Sequence, residues 1–289
     1  VMGGYITENF SWPWIFYINV PIGIFCAYSI KTLLKGRDTP TSSDPIDVIG
    51  LVFLVLGVGS LQYMLEHAND LGWFQSKEVV TLTVMAVVGL TFLAIWEWYD
   101  KHPVVDLKLI KNRNFTVGTI LQTVGFTIFF GNMVVMPLWL QTVLGYDSFH
   151  SGLAVAPVAM FSIFFSPVIG MNMHKVDLRW LVLTGFGLFA FGAWYSSLLS
   201  PQSTIGEIMW GRFLFGLGIP FFFIPLSGIV MQGMEGEELT AAAGFSNFLR
   251  TLGGAIGTAV FVTVWSRRTS FHHARLTEDM YPGNPMYDQ

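Results

Sequence analysis

Asn247 and Arg250 stand three residues apart in the apolar stretch AAAGFSNFLRTLGGAIGTAVFVTVW, Ala241 to Trp265. On a helix that spacing puts both side chains on one face. An interior arginine there can hold an acceptor, such as a carboxylate, in one conformation and release it in another. It can equally pin two helices together. Winding the stretch at about 100° per residue gathers Ala243, Ser246, Gly253, Gly254, Gly257 and Thr258 beside the Asn247–Arg250 pair. The opposite side collects Phe245, Phe248, Leu249, Leu252, Ile256, Val260 and Val262. A cation facing lipid at a helix centre costs about 3 kcal/mol or more. The Arg250 side must therefore face protein or a water-filled cavity. Gly253 and Gly257 form a GxxxG pair on that side, which lets another helix approach closely.

A second interior cation, Arg212, opens WGRFLFGLGIPFFFIP, with Gly216 and Pro220 following on its face. It is either a conformational residue or a side chain that snorkels to the nearby interface. Pro220 and Pro225 remove backbone donors and are expected to kink or break this helix. A third element, around FFGNMVVMPLWLQ, lines up Gly125, Phe129, Asn132, Met136 and Trp139. Methionine adapts its shape and aromatic rings stack on aromatic or cationic ligands, so this face suits flat hydrophobic molecules. Ordinary helix packing is the alternative for each residue alone. Gln122 is a further pathway candidate, Pro157 and Met160 are similar in type, and Pro167 marks a kink. Asn19 is placed to take a carbonyl freed near Pro21. Asp177 and Arg179, in MHKVDLR, can pair across a helix end or remain a solvated cluster.

Other chemistries find no support. The six histidines fall in expected connections, and adjacent His272 and His273 would point about 100° apart on a helix, so no metal site is expected. The single Cys26 has no ligand-type neighbours. No nucleotide-binding loop, nucleophile with its base, or pair of interior carboxylates is present, which argues against an enzyme or an ATP-driven machine. Glu66 and Glu97 sit near span ends and are expected to reach the interface. No span carries a central Asp or Glu.

These residues need helices to hold them. Hydrophobic residues make up 53% of the 289 and charged ones only 12%, about half the charged share of a soluble domain. Apolar runs of about 20 residues recur at roughly 13–34, 46–66, 78–99, 115–140, 151–172, 180–199, 206–232 and 241–265. Each is long enough for a hydrocarbon core of about 30 Å. The expected class is an all-α polytopic membrane protein. Lys31, Lys35, Arg37, Lys101, Lys108, Lys111, Arg113, Lys175 and Arg179 mark one set of connections as cytoplasmic. The acidic MEGEEL (Met234 to Leu239) and the outward Arg267 and Arg268 run against that bias. Residues 35–45 read as a polar linker, and 100–114 as a basic segment either snorkelling or lying on the membrane surface as a short amphipathic helix. From Ser266 a polar tail begins. A net charge of −4 gives no case for nucleic acid. The chain opens at Val1 inside a motif and reads as part of a longer protein.

The opening GGYITENFSWPWIFYINVPIGI resembles a signature of the major facilitator superfamily, and more narrowly of the fourteen-span drug–proton antiporters of the EmrB/QacA type. DVIGLVFLVLGVGSLQYMLE (47–66), HPVVDLKLIKNRNF (102–115), SGLAVAPVAM (151–160) and SNFLRTLGGAIGTA (246–259) carry the resemblance onward, and HHARLTE (272–278) looks like the family's long outer loop. The resemblance implies that the eight spans correspond to the sixth through thirteenth. Residues 1–34 would then end an N-terminal bundle, and 35–45 link it onward. Residues 46–99 would form an inserted two-helix hairpin, followed by a cytoplasmic connection at 100–114. Residues 115–265 would belong to a C-terminal bundle, and 266–289 to a periplasmic loop.

The implied function is efflux of hydrophobic drugs or uncouplers in exchange for protons, by alternating access, in the bacterial inner membrane. The energy source would be the proton gradient, with no bound cofactor. Implied partners are a periplasmic membrane-fusion adaptor and an outer-membrane channel. The proton-carrying carboxylate is expected in spans outside this sequence. Arg250, Asn247, Arg212, Asp177 and Arg179 would serve conformational switching. The rivals are an exporter of a siderophore or other metabolite, a membrane enzyme, and a non-transporting sensor or scaffold.

Overall fold

In the computed structural model, residues 1–33, 47–100 and 105–278 are described. The expected linker at 35–45, the start of the 100–114 connection and the end of the tail lie outside them. Eleven α-helices occur among the described residues, and no strand. They are α1 (Met2–Asn9), α2 (Trp14–Tyr17), α3 (Asn19–Leu33), α4 (Val48–His67), α5 (Lys77–Tyr99), α6 (Arg113–Thr142), α7 (Ser148–Val155), α8 (Pro157–Asn172), α9 (Leu178–Ser197), α10 (Ile205–Val230) and α11 (Gly236–Glu278). Together they supply eight segments long and apolar enough to cross a membrane, at the eight places where the apolar runs put them.

Proline chemistry explains the breaks. α2 and α3 divide at Ile18, and Asn19 Nδ2 donates to Ile15 O at 3.1 Å, close to Pro21, which lacks the donor to continue the ladder. α8 starts on Pro157, where a missing N–H costs nothing. Pro220 and Pro225 do not break α10, which runs from Ile205 to Val230.

The chain divides into two compact units, Val1–Ile46 with Met136–Gly228, and Asp47–Val135 with Ile229–Gln289. The first unit holds a cluster of Met136, Leu140, Ala154 and Ile208, with Trp139 packed against it. In the second, α4 and α5 cross backbone to backbone. A Cβ on Gly89 would lie 2.8 Å from Gly57 Cα, so neither position has room for a side chain. Lipid gives no hydrophobic drive for such pairing, and close packing has to supply it.

The described part of the 100–114 connection turns through a short 3₁₀ helix, Leu107–Lys111, and sinks Val105 and Leu109 into a cluster with Phe115, Val230, Met234, Ala242 and Phe245. Its described cations Lys108, Lys111 and Arg113 are exposed, with Lys111 over the Trp98 ring at 5.7 Å. Truncating Leu109 to alanine, at 4% exposure, should cost about 2–4 kcal/mol and lower the thermal midpoint in detergent. A midpoint equal to wild type would show the cluster to be loose.

Glu97 does not reach the interface. It is 1% exposed and accepts the Val105 N–H at 3.2 Å, so the returning connection covers it. Beside it Asp47 caps α4 through the Gly50 N–H at 2.8 Å and accepts from Trp96 Nε1 at 2.9 Å. Finally, α11 does not end at Trp265. It remains helical to Glu278, so 266–278 is a rod rather than an open loop.

Candidate functional site

The polar stripe of α11 meets α6 inside the second unit. A Cβ on Gly253 would lie 2.7 Å from Thr123 O, and one on Gly257 would collide with Thr127 O. Thr127 Oγ1 also donates across to Gly253 O at 2.9 Å. The glycine side thus faces a helix, as the cost of exposing Arg250 requires. Ser246 Oγ donates to Gln122 Oε1 at 2.7 Å, and both residues are buried.

Arg250 is half-buried in this contact. Its guanidinium donates to Asn247 Oδ1 and lies over the Phe126 ring, 4.8 Å from ring centre to Cζ. Phe126 stacks on Phe130 at 5.7 Å, and Phe130 meets Phe129 edge-on at 5.4 Å. Gln122, Phe126, Phe129, Asn247 and Arg250 therefore share one interhelical region. The cation is held by an amide and a π-face, interactions weaker than a carboxylate pair. Such a cation can exchange partners at modest cost.

The other pathway candidates separate. Asn132 is half-buried on α6. Met136 is buried in the first unit's core with Trp139 against it, so both pack that core. Met160 is 54% exposed. Phe126 and Phe130 were missed from the sequence, although Phe126 lies one turn before Phe129. The contact that matters, with Arg250, is 124 positions away along the chain and leaves no local trace.

In the first unit Arg212 is fully buried, so it does not snorkel. A Cβ on the preceding residue, Gly211, would lie 2.8 Å from the Tyr195 ring, so glycine there leaves room for that ring beside α10. Arg212 donates to Ser196 Oγ, which itself donates to Gly192 O at 2.7 Å, and lies 5.5 Å from the Phe215 ring centre. A buried cation replaced by a hydrophobe of similar volume is often neutral or stabilising. Arg212→Met should therefore keep or raise the thermal midpoint in detergent. A clear drop in the midpoint would show that the bond to Ser196 contributes more than burying the cation costs.

Asp177 and Arg179 meet through the backbone. The Asp177 carboxylate caps α9 by accepting the Arg179 N–H at 3.0 Å, and both side chains are exposed. Asp147 caps α7 likewise, accepting the His150 N–H at 2.7 Å. That bond, with the His150 ring behind it, holds the Asp147 carboxyl below its ordinary range. A lowered carboxyl contributes stability above its unfolded value and loses it as pH falls through the folded one. Amide protection in α7 should stay flat from pH 8 to 5 and decline only below about pH 4. Loss of protection already near pH 6 would show that the Asp147 carboxylate is not what holds this helix end. No group of three His, Cys, Asp or Glu side chains converges as a metal site among the described residues.

The Arg250 region thus joins a cation, two amides and an aromatic run at one helix contact. A family profile described as Major Facilitator Superfamily matches residues 1–258. The chain belongs to the major facilitator superfamily. Within the superfamily it is 44% identical to "Multidrug export protein EmrB" of Escherichia coli (strain K12), over 100% of this chain and 57% of that protein. It is 43% identical to "Fatty acid resistance protein FarB" of Neisseria gonorrhoeae, over 98% of this chain and 56% of that one. It is 28% identical to "Colistin resistance protein EmrB" of Acinetobacter baumannii, over 100% and 56%. The chain thus spans little more than half the length of these superfamily relatives. Its apolar helices and this kinship make it a multi-pass protein of the bacterial inner membrane.

Proposed function

We propose that the whole protein is a multidrug efflux transporter of the superfamily, exporting hydrophobic and amphipathic compounds in exchange for protons by alternating access. One observation carries the reading most directly. Arg250 sits inside a helix contact on a weak amide and π-face hold, where a switching cation is useful. Relatives named for multidrug export and fatty acid resistance support a hydrophobic cargo. The aromatic run Phe126, Phe129 and Phe130 would offer flat surface to it, with Gln122 and Asn132 as polar contacts. The eight spans would be the sixth to thirteenth of fourteen. The proton-carrying carboxylate would lie in N-terminal spans of the longer protein, with Arg250 responding to it. A periplasmic adaptor and outer-membrane channel would complete the export route, and 266–289 would face the periplasm.

The test is ethidium efflux from proteoliposomes of the full-length protein under an imposed pH gradient. Gradient-driven ethidium movement that a protonophore abolishes is the expected result. Absence of gradient-dependent flux of ethidium and of a fatty acid alike would overturn the proposal.

A further inference from the structure

α4 and α11 touch at one end and part at the other. Leu54 of α4 packs against the cluster containing Ala242 and Phe245 of α11. About two turns further along, toward the end away from the basic connections, the helices leave a cleft of about 220 Å³. One wall is Gln62, Leu65 and Glu66 on the last turns of α4, with Asn69 in the turn just beyond its end. The other is Ala255, Thr258, Ala259 and Val262, spaced i, i+3, i+4 and i+7 on α11. Both walls belong to the second unit. The alanines keep the cleft open, since any longer side chain at Ala259 would fill it.

Four polar side chains face this space without a partner among the described residues: Gln62, Glu66, Asn69 and Thr258. Thr258 is telling. On the same helix Thr251 and Thr269 donate back to Asn247 O and Trp265 O at 2.9 Å, whereas the Thr258 hydroxyl makes no such bond. Thr258 and Asn69 are half-buried and Gln62 and Glu66 are exposed at the mouth, so a ligand entering the cleft can pair with all four without first breaking a bond within the protein. Glu66 is the one charged residue of the lining. The described lining includes no Lys or Arg to receive a phosphate or carboxylate, while Leu65, Ala255 and Val262 supply an apolar wall.

We propose that this cleft binds a lipophilic monocation, an alkylammonium whose head group meets Glu66, Gln62 and Asn69 and whose chain lies along Ala255, Ala259 and Val262. Its residues are distinct from the Arg250 region, so the site is a second one, entered sideways from the membrane. A zwitterionic lipid offers the same ammonium but brings a phosphate that the lining does not match. Equilibrium binding needs no gradient, so this inference stands or falls separately from proton-driven export.

The experiment uses the full-length protein in phosphatidylcholine nanodiscs, titrated with radiolabelled dodecyltrimethylammonium and, in parallel, neutral dodecanol. Glu66→Gln should weaken cation binding about fivefold or more and leave dodecanol unchanged. Ala259→Leu should abolish both. Adding phosphatidylethanolamine should leave cation binding intact. A photoreactive alkylammonium should label the 255–262 segment, and lose that label in Glu66→Gln. Unchanged cation affinity in Glu66→Gln, displacement by phosphatidylethanolamine, or labelling confined to other segments would overturn the proposal. Glu66→Gln alters an exposed side chain, so the test survives even if Ala259→Leu misfolds.

Discussion

Arg250→Ala should reduce gradient-driven efflux by about a hundredfold while the protein still inserts in normal amount. Loss of a charge-assisted hydrogen bond at a partly buried site is worth about 1.5–3 kcal/mol, or roughly ten- to a hundredfold. The upper end is expected because a truncated Arg250 also leaves the Asn247 amide and the Phe126 ring without their cation. Arg250→Lys keeps the charge but not the planar, several-donor head, so intermediate efflux is expected. The helix contact itself rests on Gly253 and Gly257, so a thermal midpoint near wild type should accompany the loss. If Arg250→Ala transports normally, the residue is a structural pin at most, and the switching role is withdrawn.

Gly257→Leu should do the reverse, removing the fold before the function. A Cβ at this position collides with Thr127 O, which is backbone and cannot rotate away. One turn earlier a Cβ on Gly253 would already lie 2.7 Å from Thr123 O, so the helices have little room to slide and relieve the clash. Overpacking of this kind costs about 1–3 kcal/mol, occasionally more, and here it also strains the Thr127–Gly253 hydrogen bond. The thermal midpoint should drop by about 5 °C or more, with less monodisperse protein recovered from detergent. Gly244→Leu on the same helix is the control, because its Cβ meets nothing within 4 Å. Equal midpoints for the two variants would show that α6 and α11 are not in tight contact.

What the sequence disclosed and what it hid follow one physical division. Apolar length and helical period are local properties, so the eight spans and the glycine side of α11 could be read directly. The burial of Glu97 could not, because the chain that covers it returns from the far side of Asp100. Arg212 is similar: the Ser196 hydroxyl that meets its guanidinium belongs to another helix. The face proposed on α6 was half legible. Phe129 does join an aromatic group beside Arg250's partner ring, but Met136 and Trp139, equally periodic, pack the first unit's core. Periodicity tells which side chains share a face without telling what that face meets. The end of α11 was legible and was misjudged. Its polar composition suggests a loop, yet neither glycine nor proline occurs from Thr258 to Tyr281, and nothing there stops a helix.

That unbroken helix has a mechanical consequence. At about 1.5 Å per residue, the segment from Arg250 to Glu278 is about 42 Å long. A stiff beam of this length is a lever with its fulcrum near the α6 contact. Tilting it by about 10° would sweep its tip through about 7 Å, by the same helix geometry. A small adjustment around one half-buried guanidinium would then arrive beyond the apolar span as a stroke comparable to the width of a helix.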